Sequence, residues 1–123
     1  MKNFKIGKEI VELLNTGDSV TSYVGNKIFP LIANATTTFP FIVYRRNYYT
    51  PANDKDWENE KCGIEIVVAS TKYEESVNIA NAVSEQLNHK TTEDIEDIKI
   101  INTNEDFYED TYVQRINIEV EIR

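Results

Sequence analysis

The stretch TKYEESVNIANAVSEQLN, residues 71–88, decides how the chain is read. Thr71 and Glu74 have capping-box spacing, in which a hydroxyl and a glutamate three residues on satisfy the first turn of a helix. Tyr73, Val77, Ala80, Val83 and Leu87 then recur every three or four positions, and Ile79 and Ala82 widen the stripe. This predicts an amphipathic helix from about Lys72 to Asn88, with Glu75, Asn78, Asn81 and Glu85 on its outer face. His89 stands at its C-terminus, where a positive charge complements the helix dipole.

Working outward, strands flank this helix. Before it, Lys61–Ser70 alternates: Cys62, Ile64, Ile66 and Val68 on one face, Gly63, Glu65, Val67 and Ala69 on the other. Aromatic and branched residues make a strand of residues 41–49, opened by Pro40. The polar run Thr50–Lys61, with Asp54, Asp56 and an isolated Trp57, reads as a long hairpin connection. After the helix, Ile98–Thr103 is a short strand, residues 104–110 are a turn or loop, and Tyr112–Arg123 is a clean strand. In that last strand Ile116, Ile118, Val120 and Ile122 alternate with polar residues.

At the other end, Ile6, Ile10, Leu13 and Leu14 are spaced for a short amphipathic helix, about Lys5–Asn15, closed by Gly17. Asp18 or Ser19 caps a second helical turn carrying Val20, Tyr23 and Val24, which Gly25 ends. Lys27–Phe29 is a brief extended piece, and Ala33–Thr38 a loop. The order α-(short α)-β-β-α-β-β predicts an α+β fold, an antiparallel sheet with helices packed on one face. A length of 123 residues fits a single domain, 1–123, with a real core and no need of disulfides.

Charge narrows the function classes. The formal net charge is -8, from 13 basic and 21 acidic residues. Residues 1–90 carry 10 basic and 11 acidic groups, net -1, and residues 91–123 carry 3 and 10, net -7. A stable nucleic-acid binder needs a basic footprint, and a peripheral membrane anchor needs a polybasic segment or an apolar run; neither is visible. The N-terminal Met1–Lys5 segment leads into no apolar signal core.

Catalytic groups are scarce. Gly7, Gly17, Gly25 and Gly63 form no phosphate loop. His89 is the only histidine and lies 27 positions from Cys62, the only cysteine, which reads as a small buried hydrophobe. The acidic clusters Glu93, Asp94, Glu96, Asp97 and Glu105, Asp106, Glu109, Asp110 lack the spacing of a calcium loop. No catalytic, cofactor or metal residues are assigned, and the chain is not read as an enzyme. The candidate residues belong instead to a protein interface: Arg45, Arg46, Tyr48 and Tyr49, an aromatic-basic interleave; Trp57, an indole in a polar run; and Phe107 and Tyr108 in the acidic quarter.

Several segments in order carry a family resemblance: Val24-Gly25-Asn26-Lys27-Ile28-Phe29-Pro30, Phe39-Pro40-Phe41-Ile42-Val43-Tyr44, the strand Lys61–Ser70, Thr71-Lys72-Tyr73-Glu74-Glu75-Ser76, Ala80-Asn81-Ala82-Val83, and a closing strand pair. From about residue 5 to residue 123 the chain resembles the tail-completion and tail-terminator (head–tail joining) proteins of long-tailed bacteriophages and prophages. The resemblance implies a non-enzymatic structural protein without cofactors. It implies a self-assembled ring, often a hexamer, that caps the tail tube and meets the head connector. The tail-tube protein and the connector would be its partners. Its place would be the virion tail or head–tail junction, after assembly in the bacterial host cytoplasm, with DNA passing through the ring. Framework roles would fall to Gly25–Pro30 and Phe39–Tyr44, and variable contacts to the 50–60 and 104–111 segments. A second reading of the residues alone is a small adaptor or ligand-sensing α+β domain. A carboxylate-dependent metal hydrolase is a third.

Overall fold

The computed structural model describes residues 2–52 and 59–123. Asp54, Asp56 and Trp57 lie outside the described residues. A short 3-10 turn, Lys2–Lys5, leads into helix α1 (Ile6–Leu14), then α2 (Thr21–Val24). Strands β1 (Ile28–Pro30), β2 (Phe41–Thr50) and β3 (Glu60–Ser70) follow, then α3 (Tyr73–Leu87), β4 (Ile95–Tyr108) and β5 (Thr111–Ile122). The fold is α+β, built on a five-stranded sheet in the order β1-β2-β3-β5-β4.

The sheet is mixed rather than wholly antiparallel. The extended piece after α2 is a true strand, β1, and it runs parallel to β2. Ile42 N–H donates to the Lys27 carbonyl and Leu31 N–H to the Tyr44 carbonyl, at 2.9 and 2.8 Å. At three residues β1 is too short for side-chain alternation to announce it. The remaining pairs are antiparallel.

β3 and β5 form the centre. Their register pairs Cys62 with Val120, Ile64 with Ile118 and Ile66 with Ile116, so the expected apolar faces coincide. Ile42 on β2 and Ile95 and Ile98 on β4 extend the same buried cluster, which also takes in Ile6, Ile10 and Leu14 of α1 and Ile79, Val83 and Leu87 of α3. Removing these side chains from water is the main source of stability, at ~25 cal/mol per Å² of apolar surface.

Helix α3 buries Ile79, Ala82, Val83 and Leu87 as expected and departs from the expected stripe only near its start. Tyr73 and Val77 are exposed, whereas Ser76 is fully buried. Ser76 is tolerated inside because its hydroxyl donates to the Tyr73 carbonyl at 2.6 Å. The helix start also differs from the simple capping box. Lys72 is the N-cap and makes no side-chain cap bond. Its N–H instead donates to the Ser70 hydroxyl at 3.1 Å, and that hydroxyl donates to Glu75 Oε1 at 2.7 Å. Glu75, one residue after the expected Glu74, occupies the third helical position and reaches the N-cap through Ser70.

Two further expectations are corrected. Residues 104–108 are not loop: β4 continues through Tyr108, and the turn is only Glu109 and Asp110, with φ of 50° and 59°. Those left-handed values suit a two-residue hairpin turn, whose twist matches that of the strands. Residues 101–108 are exposed on both faces of this edge strand, so no alternation marks them as strand. Tyr23, expected on the apolar side of α2, is exposed, while Val20 and Val24 are buried.

The helices are tied at one end. Gln86 of α3 donates to the Leu13 and Thr16 carbonyls at 3.0 and 2.8 Å, satisfying acceptors at the end of α1. Gly17, with φ of 72°, turns the chain there, as expected.

Candidate protein interface

β2 carries four of the candidate interface residues, and a bulge between Arg46 and Tyr48 divides them. Arg45 pairs with Glu65 and Tyr48 with Gly63, on the sheet face opposite the core. Arg46 pairs with Ile64 and Tyr49 with Cys62, on the core-side face. Without the extra residue Asn47, Tyr48 and Tyr49 would exchange faces.

The face opposite the core is a polar lattice. Arg45 Nε lies 3.3 Å from Glu65 Oε1. Asn117 Nδ2 donates to Asn102 Oδ1 at 2.8 Å, and Arg115 donates to Asn104 Oδ1 at 3.2 Å with Asp106 beyond at 3.8 Å. Asn59 reaches Glu121 at 2.9 Å. Tyr48 spans two strands: its ring lies over Gly63 and its hydroxyl donates to Glu119 Oε2 at 2.6 Å. A Cβ on Gly63 would stand 2.0 Å from Tyr48 Cε2, so only glycine leaves the ring this path. Partial burial and the Glu119 carboxylate push the Tyr48 phenol up to about 12.

On the core-side face of the same flank, the Arg46 guanidinium sits 4.4 Å from the centre of the Phe4 ring. Phe4, Leu31, Tyr44, Arg46 and Cys62 line a cavity of about 300 Å³. Cys62 is buried, as expected, and burial raises its thiol pKa. That makes it a poorer nucleophile, not a better one. Gly7 packs α1 close against the Tyr44 ring.

Phe107 and Tyr108 lie at the far flank, on the end of β4, and are 56% and 68% exposed. Strands β3 and β5 separate them from β2, so the described candidate residues lie at two flanks of the sheet rather than one. Sequence reasoning missed their neighbours. Tyr73 stacks edge-on to Tyr112 at 5.6 Å, and Phe107 lies 4.7 Å from Tyr112. Glu105 holds the group together by accepting from the Tyr73 hydroxyl at 3.0 Å and from Gln114 at 2.9 Å. Leu31 and Ile32, 69% and 79% exposed beside the β2 cavity, were also missed. The only signal for them was two branched residues directly after Pro30.

Among the described residues no three His, Cys, Asp or Glu side chains gather as a metal site. His89 does not cap α3 through its ring: its Nδ1 lies 3.2 Å from Asp97 Oδ1, and its N–H donates to the Ile98 carbonyl. Among the described residues no helix is long and apolar enough to cross a membrane.

The family model described as tail completion protein gp17 matches residues 8–123. The chain belongs to this family. No curated protein sequence matches it. Its fold is similar to that of a chain in the virion of a native gene transfer agent particle, with a TM-score of 0.75 at 12% identity. The likeness covers 92% of this chain and 90% of that one. At that identity it speaks for the shared fold alone. The tail-completion match spans every strand of the sheet and the polar face, while Phe4 and Gly7 at the β2 cavity precede it.

Proposed function

We propose that this protein completes the tail of a bacteriophage or prophage particle as a non-enzymatic ring that caps the tail tube and joins it to the head connector. The observation that carries the reading is the family match over residues 8–123. In this reading the 123 residues act as one domain, the helices cover one face of the sheet, and the polar face stays open. Arg45, Arg46, Tyr48, Tyr49, Phe107 and Tyr108 are contact residues, as is Trp57 in the long 50–60 connection. The ring lies at the tail end or head–tail junction and forms in the bacterial cytoplasm, with the tail-tube and connector proteins as neighbours.

The charge distribution supports a place on the DNA path. Glu65, Glu119 and Glu121 stand on the polar face, and residues 91–123 carry net -7. An acidic wall repels passing DNA rather than retaining it. Electron microscopy of particles made without this protein tests the function. Unjoined heads and tails of irregular length are the expected result; normally joined particles would overturn it.

A further inference from the structure

We propose that the chain docks head to tail on a second copy of itself, with the Phe107–Tyr108 end of β4 seated on the Phe4–Leu31–Arg46 cavity at the opposite flank of the sheet. This rests on the ring reading and names the contact that builds the ring.

Three observations converge. The first is exposed apolar surface at both flanks and on different elements. Phe4, Leu31 and Ile32 stand beside β1 and β2; Tyr73, Phe107 and Tyr108 stand beside β4. Exposed aromatic clusters mark contact surfaces more often than chance exposure does.

The second is charge. Residues 19–53 contain Lys27, Arg45 and Arg46 and no acidic residue, whereas residues 100–114 contain Glu105, Asp106, Glu109 and Asp110 and no basic one. Within the sheet Arg45 is matched by Glu65 and Asp106 by Arg115, while Arg46 on the β2 flank and Glu109 and Asp110 at the β4 turn are opposite in sign. A copy meets a second copy favourably flank to flank, and unfavourably through the same flank on both.

The third is shape. The β2 flank is concave, a cavity of about 300 Å³, and β4 ends before its tight turn on Phe107 and Tyr108, whose rings are exposed. Arg46 already offers its guanidinium to one ring, that of Phe4. An arriving aromatic ring and the nearby Glu109 carboxylate suit the same group. Because the two surfaces differ, the contact is heterologous and repeats by rotation, which generates a closed ring or an open helix but not an isolated symmetric dimer.

The test is sedimentation velocity of the full chain over a range of concentrations. Wild type should self-associate. Arg46→Glu and Glu109→Lys should each weaken association tenfold or more. An equimolar mixture of the two variants should recover it, because each variant's altered flank then meets its opposite, and so should the double variant. Thermal melts monitor folding; Phe107→Ala, on an exposed ring, serves as a second probe if a charge reversal misfolds. If wild type associates and none of the three variants weakens it, the contact lies elsewhere: the proposal falls and the ring reading stands. If wild type stays monomeric up to millimolar concentration, self-docking falls, and the ring reading is then decided by the microscopy of particles made without this protein.

Discussion

The Tyr48 hydroxyl donates a 2.6 Å hydrogen bond to Glu119 by passing over Gly63, the one position in β3 with no side chain. A tyrosine thus ties β2 to β5 across the strand between them. Gly63→Ala should displace the ring and cost about 1–3 kcal/mol, by overpacking and the lost charged hydrogen bond. In Tyr48→Ala the same glycine substitution should cost far less, because nothing remains to collide with. Chemical denaturation of the four proteins of this cycle checks the coupling.

The same bond has a pH signature. Folding raises the Tyr48 pKa from 10 to about 12, so its contribution is complete below pH 10 and is lost as pH rises through about 12. Tyr48→Phe should be the less stable protein at pH 7, and its deficit against wild type should shrink between pH 10 and 12. A deficit that stays constant across that range would contradict the assignment.

Glu9 behaves in the opposite sense from most carboxylates. Burial raises its pKa against the lowering effect of the Thr92 hydroxyl bond, with Asp94, Glu12 and Glu93 adding like charge. A raised carboxylate favours folding while protonated and weighs against it once ionised. Glu9→Gln, which keeps an acceptor for Thr92, should therefore stabilise the protein at pH 7. The gain should disappear at pH values below the ordinary glutamate range. Melting temperatures at pH 3 and pH 7 decide this.

Gln86 closes the end of α1 with two hydrogen bonds from one amide. Gln86→Ala should cost about 1–2 kcal/mol, since water can reach part of the exposed terminus. Hydrogen exchange should show faster opening in α1 than in α3, because α3 keeps its own ladder.

What the sequence made legible follows from burial. β3 and β5 each keep one face in the core, so Ile64, Ile66, Ile116 and Ile118 alternate and the strands are readable. β4 beyond Ile100 is exposed on both faces, and its acidic residues look like a loop. The stripe of α3 is legible from Ile79 to Leu87 but not at its start, because hydropathy cannot foresee that Ser76 satisfies its hydroxyl locally and goes inside, leaving Tyr73 and Val77 outside. At the candidate interface, Arg45, Arg46, Tyr48 and Tyr49 stood out by composition. Which tyrosine shares a face with which arginine depends on the bulge at Asn47, which leaves no composition signal. Phe4 was missed because its partner, Arg46, is 42 positions away.

β3 and β5 pair through eleven consecutive positions with no shift in register, while the irregularities lie between β2 and β3 and between β4 and β5. The centre of the sheet acts as a fixed ruler, and its flanks carry the slack. Single-residue insertions or deletions in β2 past Arg46, or in β4 past Ile100, change which side chains face outward while the buried ladder keeps its spacing. Chains built on this plan are free to diverge in what they touch without relearning how to fold.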